Sequence, residues 1–177
     1  MSKVTHRFFF ALLPPLALQS WLLSHAYGAR TLMKADRLHL TLAITDDYAL
    51  PFDQVIRTLI AIGGSALGAG FDIPLSRVTA NDYSVTASPA GRSFRTPELQ
   101  RYLEDMMRRD GLLREGWTFS PHLTVGYQPR GVFSVRTLPA SWSATEFVLI
   151  HSLVGLTQHR LLGRWPLLPP PQLSLFG

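Results

Sequence analysis

The sequence has 177 residues and contains no cysteine. Disulfide bonds, thiolate metal ligands and a cysteine nucleophile are therefore excluded. No uninterrupted apolar run approaches the roughly 18 residues that a membrane-spanning helix needs, so we expect no membrane partner. Charged residues make up only 16%, and Lys and Arg outnumber Asp and Glu by 17 to 12. The excess is mostly Arg, which suits phosphate contacts. Ordinary proteins are often equally basic, so the net charge alone does not identify a polyanionic partner or substrate.

The N-terminal region has two interpretations. A basic start followed by an apolar stretch at residues 8–18 leaves a secretory signal as an alternative. Pro14 and Pro15 fall in the middle of that stretch, where they would interrupt the helix of a signal. We therefore predict a buried strand at residues 8–13, a helix from Pro15 to about Tyr27, and a cytoplasmic protein.

The rest of the chain mixes strand and helix patterns. Strands are predicted at 38–42, 71–79, 83–87, 122–127, 146–154 and 161–167, and helices at 52–62, where a Gly-Gly-Ser run ends the pattern, and at 97–110. This order predicts an α+β fold rather than strict βαβ alternation. We predict one domain over residues 1–167. Residues 168–177 are predicted to form an extended Pro-rich tail.

Two quartets carry the chemistry, His39-Leu40-Thr41-Leu42 and His122-Leu123-Thr124-Val125. In a strand, alternate side chains share a face, so each quartet buries its apolar pair and presents His with Thr. A single quartet is common in strands, whereas the repetition favours one shared cleft. Displacement at a phosphodiester needs a base on the attacking oxygen and an acid on the leaving oxygen, and imidazole fills either role near neutral pH. A Thr hydroxyl can donate to a non-bridging phosphoryl oxygen.

No metal or other cofactor is predicted, because neither motif supplies a carboxylate or a third histidine. Asp46 and Asp47 do follow the first motif. The remaining histidines have no repeated context and are interpreted as structural; they are His6, His25, His151 and His159. Arg92 and Arg95 are further candidates for phosphate contact, although a solvated surface is the preferred interpretation for both.

The motifs resemble those of the 2H phosphoesterases, and within them the LigT-like RNA 2′,3′-cyclic phosphodiesterases, also called 2′-5′ RNA ligases. The likeness spans the opening strand, both motifs with their flanks and the late strand, at residues 7–14, 38–43, 120–125 and 147–152. It implies two pseudo-twofold-related lobes of antiparallel sheet, with helices packed outside and a motif from each lobe in a central cleft.

The resemblance also implies roles for the residues. His39 would protonate the leaving ribose oxygen, His122 would activate water, and the product would be a 2′-phosphate; the two roles are open to reversal. Thr41 and Thr124 would hold the phosphate. The family often has an Arg three residues after the second Thr, where this chain has a tyrosine that can stack on a base. The predicted substrate-binding residues are Tyr127 and Arg130, the latter as a replacement for that Arg.

The expected activity is metal-independent hydrolysis of RNA 2′,3′-cyclic phosphate ends by a monomer, with reversible 2′-5′ RNA ligation as a further activity. The alternatives are a phosphodiesterase for 2′-5′ linkages or small cyclic nucleotides, and a non-catalytic protein that binds RNA ends. The C-terminal residues Gln172, Leu173, Ser174, Leu175 and Phe176 resemble the peptide by which bacterial proteins dock onto the DNA polymerase sliding clamp. A clamp partner is therefore a separate hypothesis.

Overall fold

The computed structural model describes residues 4–89 and 97–169. The predicted clamp-binding residues 172–176, together with Arg92 and Arg95, lie outside the described residues. The described strands are β1 (Thr5–Leu12), β2 (Ala29–Leu32), β3 (Leu40–Ile44), β4 (Phe71–Ala80), β5 (Ser84–Ser88), β6 (Leu123–Pro129), β7 (Phe133–Ala144), β8 (Glu146–Val154) and β9 (Gln158–Pro166). The helices are α1 (Leu16–Ser24), α2 (Asp53–Ser65) and α3 (Glu98–Arg109), and a 3₁₀ turn spans Ala35–Arg37.

All nine strands form one antiparallel sheet, in the order β7-β4-β5-β6-β3-β1-β8-β9, with β2 against β6. The sheet consists of two four-stranded halves, β7-β4-β5-β6 and β3-β1-β8-β9. The strands at the join, β3 and β6, are those that follow the two histidines. Their pairing is limited to Leu40 opposite Leu123. The predicted α+β fold of two antiparallel lobes is confirmed, and the lobes are halves of one continuous sheet.

The helices cover one face of this sheet, which holds the main core. Alternation along β1 divides its side chains, so that Phe8 and Phe10 point into the core among residues of all three helices. Phe9 and Ala11 belong to a second, smaller cluster with Val148 and Ile150 on the opposite face. We call this opposite face, which carries no helix, the open face.

The N-terminal apolar stretch is a central strand of the fold. β1 pairs with β3 on one side and β8 on the other, as expected for a buried strand. Pro15 precedes α1, which ends at Ser24, earlier than predicted, and the chain then turns through Gly28 with a φ of +69°. Among the described residues, no helix is long and apolar enough to cross a membrane.

The prediction that α2 stops at Gly63 is wrong, because the helix continues to Ser65. A Cβ added to Gly63 would lie 2.5 Å from the Trp165 ring, so the glycine permits close packing of α2 on β9. Near the C-terminus, the Leu168 N–H donates to the Gly68 carbonyl and the Gly70 N–H donates to the Leu168 carbonyl. Leu168 is thus bound to the body of the protein, and the extended tail stays a prediction.

Candidate active site

The join between the two halves brings both motifs together. Leu40 and Leu123 pair directly and are fully buried in the core. Their neighbours on each strand point to the open face, so one step of the same register puts His39 beside Thr124. The register likewise puts His122 beside Thr41. This register makes the two histidines diagonal neighbours, for which the expected separation is about 7–8 Å or slightly less, and the charge of His122 does act on His39.

Both imidazole rings are held by the same hydrogen bond. The His39 Nδ1–H donates to the Arg37 carbonyl at 2.7 Å, and the His122 Nδ1–H donates to the Ser120 carbonyl at 2.7 Å. A carbonyl only accepts, so Nδ1 carries the hydrogen in each ring. Nε2 is then the atom that accepts or delivers a proton.

The two histidines differ in their surroundings. His39 is half-buried, and its ring stacks on Phe9 with centroids 4.7 Å apart. Burial lowers the pKa of His39 to about 4, the Arg37 hydrogen bond partly opposes this, and the charges of Arg37 and His122 lower the pKa further. His39 is therefore neutral at pH 7. His122 is exposed.

The open face beside His122 forms a polar pocket of about 590 Å³. Most of its lining is hydroxyl, amide and imidazole groups from β4, β5 and the chain before β6, namely Thr79, Asn81, Ser84, Thr86, Ser88, Pro89, Ser120, Pro121 and His122. The half that carries His39 differs, since its open face has the apolar cluster of Phe9 and its neighbours. The site thus has one apolar side and one hydrogen-bonding side.

His159 and Arg37 also lie at the site, although the sequence analysis assigned neither to it. The His159 ring lies 5.4 Å from the His39 ring, edge to face, and 5.5 Å from the Phe9 ring. Burial and then the charges of His39 and Arg37 lower the pKa of His159 to about 4. The Arg37 Nε is buried and has no hydrogen-bond partner among the described residues. The His159 contacts depend on strand pairing, so no local motif signals them, whereas Arg37 lies only two residues before His39.

The two predicted substrate-binding residues lie further along β6. Tyr127 is three residues after Thr124, so simple alternation would place it on the core face. The pairing of β5 with β6 contains a bulge, in which Val125 on β6 has no partner on β5. Tyr127 therefore pairs with Ser84, a residue that lines the pocket. Tyr127 is therefore on the open face, about 16 Å along the strand from His122. Arg130 lies beyond the end of β6 and is exposed. Contact of either residue with substrate stays a prediction.

The acidic residues after the first motif form ion pairs with arginines. Asp47 accepts two hydrogen bonds from Arg7, at 2.6 and 2.7 Å, and one from Arg114 at 2.8 Å. The hydrogen bond from Arg7 is the main cause that lowers the pKa of Asp47. Asp46 lies 3.5 Å from Arg114. In the described ranges, no group of three or more His, Asp or Glu side chains could hold a metal ion.

The other histidine pair is on the core face, away from the motifs. The His6 Nδ1 and His151 Nε2 are hydrogen-bonded at 2.8 Å, and His151 stacks on Phe8. Burial, followed by His6 and Arg160, lowers the pKa of His151. This placement agrees with the structural interpretation of both histidines.

Comparison with known proteins identifies the fold. No protein-family model and no curated protein matches the chain. The crystal structure of E. coli LigT in apo form matches with a TM-score of 0.74 and 25% identity over 93% of this chain and 99% of LigT. LigT complexed with 3′-AMP matches with a TM-score of 0.73 and 24% identity, covering 92% and 98% of the two chains. A Thermus thermophilus protein matches with a TM-score of 0.73 and 18% identity, covering 93% and 100%. The predicted resemblance to the LigT-like 2H phosphoesterases is thus confirmed in the fold.

Proposed function

We propose that this chain, which has the LigT-like fold, is a metal-independent phosphodiesterase that hydrolyses RNA 2′,3′-cyclic phosphate ends to 2′-phosphates. It acts as a cytoplasmic monomer and also joins RNA ends reversibly through 2′-5′ linkages, when an RNA 5′-hydroxyl takes the place of water and attacks the cyclic phosphate. The observation that carries the proposal is the paired arrangement of His39 and His122. Both rings donate from Nδ1 to a carbonyl two residues earlier, which leaves both Nε2 atoms for substrate.

The threonines complete the catalytic group. Extension of the Leu40–Leu123 pair by one residue on each side puts each Thr beside the histidine of the other strand, on the open face. The hydroxyls of Thr41 and Thr124 form no hydrogen bond with another described residue. Each can therefore donate to a non-bridging oxygen of a phosphoryl group held between the histidines. The charge on those oxygens grows as water attacks, so the donors stabilise the transition state.

The reaction has one attack and one departure. One histidine accepts a proton from water through Nε2 as the water oxygen bonds to phosphorus. The bond from phosphorus to the ribose 3′-oxygen breaks, and the other histidine gives that oxygen a proton from Nε2. The products are a 2′-phosphate and a 3′-hydroxyl. The base histidine then releases its proton to solvent and the acid histidine takes one up, which restores both rings to their starting protonation states.

The burial of His39 bears on which histidine is the base. A pKa of about 4 leaves Nε2 of His39 unprotonated at pH 7, which is the form of a base. The exposed His122 then supplies the proton to the leaving oxygen. This assignment reverses the roles that the family resemblance implies. A bound phosphodiester anion raises the pKa of His39, so the roles need a kinetic test.

The activity is tested with an oligoribonucleotide that ends in a 2′,3′-cyclic phosphate, after EDTA treatment of the protein. We expect wild type to give a terminal 2′-phosphate, and His39→Ala and His122→Ala each to lower kcat by about 10²- to 10⁴-fold. The control is His25→Ala, because His25 lies at the end of α1, on the helix-covered side of the sheet. Loss of turnover with EDTA, or full activity in either motif variant, would contradict the mechanism.

The roles are separated with a substrate that needs no acid. A 3′-deoxynucleoside 2′-(4-nitrophenyl) phosphate releases nitrophenolate, which leaves without a proton. If His122 is the acid, His122→Ala loses much less activity on this compound than on the cyclic phosphate, while His39→Ala loses similar activity on both. The opposite pattern would restore the roles that the resemblance implies.

Two alternatives concern the ligand. One is a phosphodiesterase for 2′-5′ linkages or small cyclic nucleotides, since E. coli LigT has been crystallised with 3′-AMP and with NADP+. The other is a non-catalytic RNA-end-binding protein. Wild type that binds a 2′-phosphate RNA end but turns over none of these phosphodiesters would favour the binding protein. Turnover of the small compounds alone would favour the first alternative.

A second proposal concerns the C-terminal peptide at residues 172–176. Its resemblance to clamp-binding peptides supports docking onto a bacterial DNA polymerase sliding clamp, with Leu173 and the Leu175-Phe176 pair as apolar anchors. Deletion of residues 172–177 should abolish retention by purified clamp and leave phosphodiesterase activity intact. A Ser174→Ala variant serves as a control that keeps the anchors. Equal retention of the deleted protein would reject clamp binding.

A further inference from the structure

A row of hydroxyl side chains crosses the sheet, starting at the second motif. Thr124 on β6 pairs with Thr86 on β5, Thr86 pairs with Thr79 on β4, and Thr79 pairs with Ser134 on β7. Directly paired residues share a face, so all four hydroxyls lie on the open face. At about 4.8 Å between strands, the row extends about 14 Å from Thr124.

A second row runs parallel to the first and carries positive charge. Ala87 pairs with Leu123, so the next step of the register puts Ser88 beside His122. Ser88 pairs with Arg77, and Arg77 pairs with Arg136 on β7. The row therefore leads from His122 through a hydroxyl to Arg77 and Arg136, whose backbone positions are two and three strands away, or about 10 and 14 Å.

The arginines of this row have no opposite charge beside them. The Arg77 Nη1 donates to the Ser134 Oγ at 2.8 Å, which connects the two rows. Among the described residues, neither Arg77 nor Arg136 is in an ion pair. In contrast, Arg7 and Arg164, on the open face of the other half, are each paired with a carboxylate. In the part of the chain that the structure describes, Arg77 and Arg136 thus place unpaired positive charge on the open face beside the polar pocket.

We infer that the two rows form an upstream subsite, which holds the phosphodiester and ribose of the nucleotides that precede the reacting end. Guanidinium and hydroxyl groups are the side chains that contact phosphate and sugar oxygens in nucleic-acid complexes. On the other half, the open face beside His39 carries the apolar cluster of Phe9 and its neighbours, and Arg7 and Arg164 there are paired with carboxylates. This inference rests on the proposed function and makes an RNA strand, rather than a cyclic mononucleotide, the preferred substrate.

The test compares kcat/KM for adenosine 2′,3′-cyclic phosphate with kcat/KM for a short oligoribonucleotide that ends in the same group. Wild type should prefer the oligonucleotide by about tenfold or more, and Arg77→Ala and Arg136→Ala should each reduce that preference about fivefold or more. Each variant should also reduce the slope of log kcat/KM against log salt for the oligonucleotide by about 0.7. The matched control is Arg57→Ala, because Arg57 is exposed on α2 on the helix-covered side.

A binding measurement distinguishes failure of the subsite from failure of the proposed function. A fluorescent oligoribonucleotide with a 2′-phosphate end needs no turnover, and its affinity should fall in both arginine variants and not in Arg57→Ala. Equal affinity in all variants, or equal kcat/KM of wild type for the two cyclic substrates, would overturn the subsite. Failure to hydrolyse either cyclic substrate would reject the proposed function, while the binding result would still decide the subsite. If Arg77→Ala unfolds, the exposed Arg136 provides the test alone.

Discussion

The buried histidine of the first motif should make the stability of the protein fall with acidity. In the folded protein the pKa of His39 is about 4, and in the unfolded chain it is about 6.5. Between these values the unfolded chain binds a proton that the folded protein does not. The contribution of His39 to stability is therefore constant above pH 6.5 and is lost as the pH falls from 6.5 to 4.

The size of this effect follows from the pKa difference. One pH unit corresponds to about 1.4 kcal/mol, so full protonation costs about 3 kcal/mol, most of which is lost by pH 4.5. His39→Asn removes the titration, and its amide can still donate to the Arg37 carbonyl. Between pH 7.5 and 4.5, the free energy of unfolding should then fall less in the variant than in wild type, by about 2 to 3 kcal/mol.

Urea unfolding at the two pH values measures this difference. Carboxylates and the other histidines titrate in both proteins, so their contributions largely cancel when the variant is compared with wild type. Titration of the His39 ring protons by NMR gives the pKa directly. An equal loss of stability in the two proteins, or a His39 pKa near 6.5, would refute the claim that burial keeps this ring neutral.

Three other changes have defined outcomes. Thr124→Val should lower kcat about 10- to 100-fold with an unchanged far-UV spectrum, since it removes one donor to the phosphoryl oxygens; full activity would exclude that donor. Arg37→Gln should raise the pKa of His39, measured by NMR, because it removes a nearby positive charge; a lower pKa would contradict the electrostatic account. Gly163→Ala should destabilise the protein by about 1–3 kcal/mol in urea unfolding, because the new Cβ would lie 2.3 Å from the Trp165 ring, and unchanged stability would show that the ring moves freely.

The sequence predicts the parts of the site that depend on local alternation. The period of two in each quartet places His and Thr on one face and the apolar pair in the core, and the structure agrees at both β3 and β6. The pairing of these two strands is not a local property. It depends on how the two halves of the sheet join, and Leu40 opposite Leu123 is the contact that makes it.

Two strands went unpredicted for physical reasons. β7 alternates apolar and polar residues at 133–136 and 140–144, but residues 137–139 between them break the alternation and include a proline, which disfavours one continuous strand in a sequence-based prediction. β2 has only four residues, none of them buried. His159 was missed because it reaches His39 through strand pairing, and no spacing in the sequence relates it to the motifs. Arg37 lies only two residues before His39, but the sequence does not show that its charge stays close to the His39 ring.

The central claim is that His39 and His122 act together on one phosphoryl group. Single-turnover rates of the cyclic-phosphate oligoribonucleotide should be measured for both alanine variants and for the double variant. If the two rings work in the same step, the double variant should be no more than about tenfold slower than the slower single variant, because groups that act as a unit are not additive. Rate losses that multiply in the double variant would contradict a shared site and show two independent contributions.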